Sequence, residues 1–192
     1  IKNNIDFKEI NFQKNLLCKE ARICGISIEK QEKINLINIY TPNGNPIDDY
    51  EKYNFKINWL KELYHLLRKK INNYENIIIA GDFNVLENEY DVKNFSEWKN
   101  DALGSLQIRK LFRKILFLGF TNLIRIFYKS GEKFSFWDYQ KASWERNYGL
   151  LIDHFLVSPK IVSHVKKLRF ESEYRAKLKP SDHIPFWIKL NV

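Results

Sequence analysis

Methionine is absent from all 192 residues, and the chain opens on Ile1. No translation start is visible, so the sequence is expected to be the C-terminal part of a longer protein. Cysteine occurs only at Cys18 and Cys24. Two are too few for a disulfide framework, and no metal-ligand spacing surrounds them. Both are expected to be reduced core residues. No apolar run reaches the roughly 18 residues of a transmembrane helix, and the opening residues lack the order of a secretory signal. A cytoplasmic protein without membrane contact is therefore expected. With no internal repeat, low-complexity tract or linker, residues 1–192 are expected to form one domain, incomplete at its N-terminus.

What the chain does have is apolar and basic. Apolar residues make up 44% and aromatics 15% of it, enough to bury one substantial core. The net charge is +9, from 32 Lys and Arg against 23 Asp and Glu. Such an excess favours polyanionic partners, nucleic acid first. It is uneven: residues 87–101 are acid-rich, while the last 42 residues carry eight Lys or Arg against four Asp or Glu.

Residues 22–29 and 33–40 alternate apolar and polar side chains and read as paired strands about a Gln31-Glu32 turn. Thr41-Pro42-Asn43-Gly44 ends the second in a loop. From residue 50 to 71, apolar side chains fall at helical spacing through Phe55, Trp59, Leu60, Leu63, Leu66, Leu67 and Ile71. Asp48 or Asp49 is placed to cap that helix, and Arg68-Lys69-Lys70 suits its negative end. Ile77-Ile78-Ile79-Ala80 is a buried strand. Residues 106–118 form a second helix stopped by Gly119. Residues 150–158 are an apolar strand interrupted by Asp153-His154, and residues 184–190 form the last strand. Strand, helix and strand in sequence indicate layered α/β organisation.

Two short polar signatures adjoin these strands: Gly81-Asp82-Phe83-Asn84 and Ser181-Asp182-His183. Asp82 and Asn84, two residues apart in extended backbone, point to one side. A carboxylate inside an apolar strand is costly without compensation, and polar strand ends commonly surround one crevice of an α/β sheet. With Asp153 available to orient His183, the set suits metal-assisted hydrolysis. His154 reads as a packing or hydrogen-bonded residue, and His65 and His164 as helix or surface residues.

The order Ile39-Tyr40-Thr41-Pro42-Asn43-Gly44, Gly81-Asp82-Phe83-Asn84, Phe134-Ser135-Phe136-Trp137-Asp138-Tyr139, Ile152-Asp153-His154-Phe155-Leu156-Val157-Ser158 and Pro180-Ser181-Asp182-His183 resembles the exonuclease III family of apurinic/apyrimidinic endonucleases. That family sits within the endonuclease/exonuclease/phosphatase superfamily. The resemblance implies a four-layer α/β sandwich of two mixed β-sheets flanked by helices, and a DNA-repair phosphodiesterase using Mg²⁺, with Mn²⁺ as substitute. It implies a monomer that acts on duplex DNA at abasic sites or 3′ ends and is nucleoid-associated through that DNA.

By the same resemblance, Asp82 positions or deprotonates the attacking water, and Asn84 orients it and holds the phosphate. Asp153 fixes the ring of His183 against the scissile phosphate, and Tyr40 supports that phosphate or the leaving oxygen. Asp182 ligates the metal, with Asp82, Asn84 and His183 as secondary ligands. Phe136 and Trp137 correspond to a loop that probes the DNA helix, and Arg146 and Asn147 to contacts with the backbone or the abasic pocket. Two departures stand out. The family's upstream Asn and metal-binding Glu motifs are absent, and Leu151 occupies a position where the family usually carries Arg. Two rival readings are a superfamily phosphatase acting on a lipid or inositol phosphate, and a DNA-binding remnant without catalysis.

Overall fold

The computed structural model describes residues 5–12, 20–29, 32–73 and 76–191. The chain runs through β1 (Phe7–Glu9), β2 (Ile23–Glu29), β3 (Lys33–Tyr40), α1 (Tyr50–Asn72), β4 (Asn76–Asp82), α2 (Leu106–Leu116), β5 (Thr121–Asn122), α3 (Ile124–Phe127), β6 (Asp153–Val157), α4 (Pro159–Val162), β7 (Val165–Phe170) and β8 (Phe186–Leu190). The first six strands form one sheet in the order β1-β2-β3-β4-β6-β5, and β7 pairs with β8 in a second. Of the expected turn between β2 and β3, Gln31 lies outside the described residues, as does Cys18.

The sheet order follows from hydrophobic patterning. β4 is apolar on both sides, so it must be covered twice. Ile77 and Ile79 face one cluster with Ile37, Ile39, Trp59, Leu60, Leu63, Leu67, Phe112 and Ile115. Ile78 faces the other, with Leu168, Phe170 and Ile184. Thus α1 and α2 cover one face of the large sheet and the β7–β8 pair covers the other. Burying a Leu or Trp of this kind stabilises the fold by about 1.5–3 kcal/mol each relative to exposure. The helix boundary is set locally: the Asp49 side chain accepts the N–H of Lys52 at 3.1 Å, and Asp48 takes no part in that cap.

The large sheet is mixed, since β3 and β4 run parallel while its other pairs are antiparallel. The second, smaller sheet is an antiparallel pair among the described residues. Two strands are shorter than their apolar runs suggest. β6 starts at Asp153 rather than being interrupted there, because Leu150 bonds instead to Phe136. β8 starts at Phe186, after Ile184 bonds to Ser135.

Cys24 corrects an expectation: it is free but exposed, not core. It lines an apolar cavity of about 800 Å³ between the two sheets, with Phe155, Phe186 and Ile188 on its other wall. That cavity is the larger one, yet it holds none of the candidate catalytic residues.

Gly81 sets the last turn of β4. Its φ is +131°, and a Cβ there would lie 2.1 Å from the Ile39 carbonyl oxygen. Gly81→Ala is therefore expected to cost at least about 2 kcal/mol of stability, through strain and a backbone clash. Chemical denaturation would check this; a midpoint unchanged from the parent protein would contradict it.

Candidate active site

Register brings the first three site residues together. Tyr40 pairs with Asp82 across β3 and β4, and Asp82 pairs with Asp153 across β4 and β6. Cross-strand partners project from one face, so a phenol and two carboxylates line up at one end of the sheet.

His183 arrives by a different route. Residues 134–137 act as a seam between two segments. Ser135 N and Phe136 N donate to Leu150 O, Ile184 N donates to Ser135 O, and Trp137 N donates to Asp182 O, all within 2.8–3.0 Å. The seam sets His183 Nδ1 at 2.8 Å from Asp153 Oδ2. Phe136 packs edge-on against the imidazole, with ring centroids 5.0 Å apart.

Asp82 is held by Asn84, whose N–H donates to Oδ1 at 2.8 Å and whose Nδ2 donates to Oδ2 at 2.9 Å. Asn84 adopts φ +50°, a left-handed conformation that Asn tolerates better than most residues. Its Nδ2 also reaches Thr41 O at 2.9 Å, and its Oδ1 accepts from Asn43 Nδ2 at 3.3 Å. Tyr40, Asp82, Asn84, Phe136, Asp182 and His183 all line one cavity of about 430 Å³. Tyr40 is half exposed beneath the Arg22 guanidinium, 4.9 Å from its ring centroid.

The electrostatics follow from these contacts. Burial, reinforced by the facing Asp153 charge, pushes the Asp82 carboxyl up to about 7, against the pull of His183 and the Asn84 hydrogen bond. Burial works against charge on His183 too, but the Asp153 hydrogen bond and the charges of Asp153, Asp82 and Asp182 outweigh it. The imidazole is raised to about 9. At neutral pH the site thus carries a cationic ring beside a carboxyl poised between its two forms. Burial lowers the pKa of His154, which sits between Asn122 Nδ2 at 3.0 Å and Val85 O at 2.9 Å. It is a packed, hydrogen-bonded core residue.

Two contributors escaped the sequence reading. Ser135 Oγ donates to Asp153 Oδ2 at 2.6 Å and accepts the Ile152 and Asp153 N–H groups at 3.3 and 3.2 Å. Its signal was a lone hydroxyl between Phe134 and Phe136. Lys56 is fully buried, and its Nζ reaches three loop carbonyls. Burial lowers its pKa to about 7, opposed by the charges of Asp82 and Asp101. A lysine in register with Trp59, Leu60 and Leu63 on the apolar face of a helix was the sign.

The expected DNA contacts divide. Phe136 lines the cavity, but Trp137 is a correction: it is 4% exposed and packs edge-on against Trp144 at 4.9 Å and Phe134 at 6.2 Å. Its ring is core and cannot wedge between bases. Exposed Asn147 accepts from Trp137 Nε1 at 3.2 Å. Arg146 stacks on Tyr148 at 4.5 Å and lines a second cavity of about 400 Å³, which shares Phe136 and Leu150 with the first. Leu151 is buried in the core, so a hydrophobic side chain suits that place.

The donor set suits a hard cation. Asp82, Asn84, Asp101, Asp138 and Asp182, all side chains that carry oxygen, line the main cavity, and Mg²⁺ prefers oxygen ligands while retaining several waters. Among the described residues, no three His, Cys, Asp or Glu gather closely enough to hold a metal by themselves. The fit is to a partial shell completed by water. No helix among the described residues is long and apolar enough to cross a membrane.

The family described as the Endonuclease/Exonuclease/phosphatase family matches residues 1–183. Among curated proteins, an exodeoxyribonuclease of Bacillus subtilis is 28% identical over 175 residues, covering 91% of this chain and 66% of its own length. Exodeoxyribonuclease III of Haemophilus influenzae is 29% identical, covering 80% and 60% respectively. The chain therefore spans somewhat under two thirds of these relatives. Among solved structures, an AP endonuclease from Archaeoglobus fulgidus aligns with a TM-score of 0.84 and 30% identity, over 98% of this chain and 71% of that one. A Neisseria 3′ phosphatase bound to a product DNA hairpin aligns with a TM-score of 0.84 and 26% identity, over 99% and 71%.

The Asp153–His183 contact makes a pH prediction. A histidine whose folded pKa is raised contributes stability that is full below pH 6.5 and lost as pH rises through about 9. In metal-free buffer, Asp153→Asn should bring the His183 pKa down towards its ordinary value and flatten the loss of stability over that window. NMR titration of the imidazole would decide it; an unmoved pKa would refute the pairing.

Proposed function

Because this chain belongs to the Endonuclease/Exonuclease/phosphatase family, we propose that its cavity hydrolyses phosphodiester bonds of duplex DNA at abasic sites or 3′ ends, as part of a DNA-repair nuclease. The observation that carries this reading is the set at one sheet end: Asp82 in register with Asp153, and Asp153 bonded to His183 at 2.8 Å. The names of the similar proteins, exodeoxyribonucleases and AP endonucleases, point the same way, as does the net charge of +9.

In the proposed reaction a water oxygen attacks phosphorus while the P–O3′ bond breaks. Asp82, with a pKa near 7, takes the proton from that water. Asn84 fixes both carboxylate oxygens and so the direction in which the base faces. His183, protonated at neutral pH, donates from Nε2 to a phosphoryl oxygen as negative charge builds there. Asp153 and Ser135 keep its ring in place, and the Tyr40 hydroxyl hydrogen-bonds the leaving O3′, which takes up a proton from solvent as the P–O3′ bond breaks. Asp182, Asp82 and Asn84 are the residues that would hold Mg²⁺ or Mn²⁺, with His183 beside them. When bound, such an ion supplies positive charge at the phosphoryl oxygens. Phe136 lines this cavity and Arg146 the adjoining one, where an apolar ring and a cation would suit the sugar and backbone of bound DNA, with Asn147 next to Arg146 in sequence.

Asp82→Asn removes the base and one negative charge near a polyanion. It is expected to lower Mg²⁺-dependent cleavage of an abasic duplex by about 10²–10⁴-fold while leaving DNA affinity equal or tighter. Cleavage within about twofold of wild type would show that the chemistry lies elsewhere. DNA binding with no cleavage by the wild type would favour the non-catalytic reading, and hydrolysis of a soluble phosphomonoester but not of DNA would favour the phosphatase.

Arg146→Ala should weaken binding for all sequences and reduce the salt slope of log K by about 0.9, the value of one phosphate contact. Fluorescence anisotropy across a salt series measures both. An unchanged slope would remove Arg146 from the DNA surface.

A further inference from the structure

We propose that Lys56 is the positioning residue of this site: its buried ammonium ties the β3–α1 loop to both ends of the β4–α2 loop and fixes Asn84, and through Asn84 the Asp82 carboxylate. The role rests on the hydrolytic reading of the cavity but concerns a residue outside the cavity itself.

Lys56 lies in α1, on the face that carries Trp59, Leu60 and Leu63 into the core, and is completely buried. Its Nζ donates to Asn43 O at 2.9 Å, Asn84 O at 2.6 Å and Ala102 O at 2.7 Å. An ammonium has three N–H donors and no acceptor, so three carbonyls satisfy it completely. The carbonyls belong to two connections: Asn43 to the one between β3 and α1, and Asn84 and Ala102 to opposite ends of the long one between β4 and α2. Asn43 and Asn84 face the cavity, and Asp101 lines it beside Ala102.

Two independent details show that the chain is shaped around this lysine. Gly44 has φ +81°, and a Cβ there would meet Lys56 Cδ at 2.7 Å and Cβ at 3.1 Å. A side chain at that position would displace the lysine stem. Asn84 holds φ +50°, and the carbonyl of this same residue makes the shortest of the three bonds. Its amide N–H and Nδ2 then reach the two oxygens of Asp82. Replacing the ammonium with an apolar group leaves three buried carbonyls without donors, which favours rearrangement of those loops. A misplacement of about 1 Å at a reacting group costs roughly 10²-fold in rate.

Three measurements test this. In wild-type protein at pH 5.5, the Lys56 ammonium should give a slowly exchanging ¹H–¹⁵N signal, since it is buried and fully bonded. A signal that exchanges as fast as surface lysines would overturn the clamp. Lys56→Met keeps length and burial but loses the donors. It should shift the Asn84 backbone and side-chain amide resonances in the absence of DNA and, on an abasic duplex, lower kcat by about 10–100-fold with KM within threefold. Lys56→Arg, which restores a cationic donor, should fall between wild type and Lys56→Met in kcat. Unmoved Asn84 resonances, or an effect confined to melting temperature, would overturn the proposal. If Lys56→Met does not fold, the wild-type ammonium signal and Lys56→Arg still decide it. If the wild type cleaves no DNA, the hydrolytic reading fails while the resonance measurements still judge Lys56.

Discussion

The constraint on which the site depends is the placing of two carboxylates opposite each other on neighbouring strands. Asp82 and Asp153 are register partners across β4 and β6, and like charges so placed destabilise a sheet. The surroundings answer that repulsion on both sides. His183 and Ser135 take up the charge of Asp153. Asn84 gives Asp82 two hydrogen bonds, and the Lys56 ammonium adds its charge behind them. Burial, with the remaining repulsion from Asp153 added to it, leaves the Asp82 carboxyl with a raised pKa. Two residues of one chemical type thereby hold different roles: one braces a histidine, the other stays open to a proton or a cation.

The division between cover and site follows from the same sheet. β4 needs apolar neighbours on both faces until Ala80 and then runs out into Gly81 and Asp82, where neither face is sealed. α1 seals one face and also sends Lys56 forward under the loops. The β7–β8 pair seals the other, and the turn before β8 delivers His183. Packing and chemistry therefore share elements, and a change in either helix or hairpin reaches the cavity through a covalently fixed path.

Much of this could be read in the sequence because each legible feature is local. The apolar run before Asp82, the i, i+2 spacing to Asn84 and the Asp49 cap all act within a few residues. Asp153 was legible as a carboxylate available to orient His183, 30 residues away, and the resemblance to exonuclease III-type enzymes implied the same pairing. What stayed hidden depends on long-range burial. Trp137 and Phe136 are neighbours with the same aromatic character, yet one is core and the other lines the cavity, which only the position of Trp144 decides. Cys24 is exposed because β2 alternates: Ile23 faces the helix-covered side, while Cys24 faces the open cavity between the two sheets. β7 was missed because Lys166, Lys167 and Arg169 break its apolar alternation, as charges on an exposed strand do. The role of Lys56 depends on three backbone carbonyls that come from distant positions in the chain.

The charge distribution also explains how an acidic cavity can belong to a basic protein. The cavity is lined by Asp82, Asp101, Asp138 and Asp182, which repel a phosphate. Against them stand the His183 imidazole, whose pKa is raised, the Lys56 amine behind Asn84, and the raised pKa of Asp82, which weakens its own negative charge. The imbalance that remains is negative and faced with oxygen, which is the environment a hard divalent cation neutralises. The lysines and arginines that give the chain its +9 lie elsewhere, in the last 42 residues and at positions such as Arg146. Attraction of a polyanion and chemistry upon it are therefore assigned to different surfaces. Long-range attraction needs exposed, dispersed cations, whereas the reacting phosphate needs a small cation and directed donors at a point. A site lined with lysines would bind a phosphate but supply no base; under the proposed reading, an acidic cavity in a chain of net charge +9 would meet both requirements.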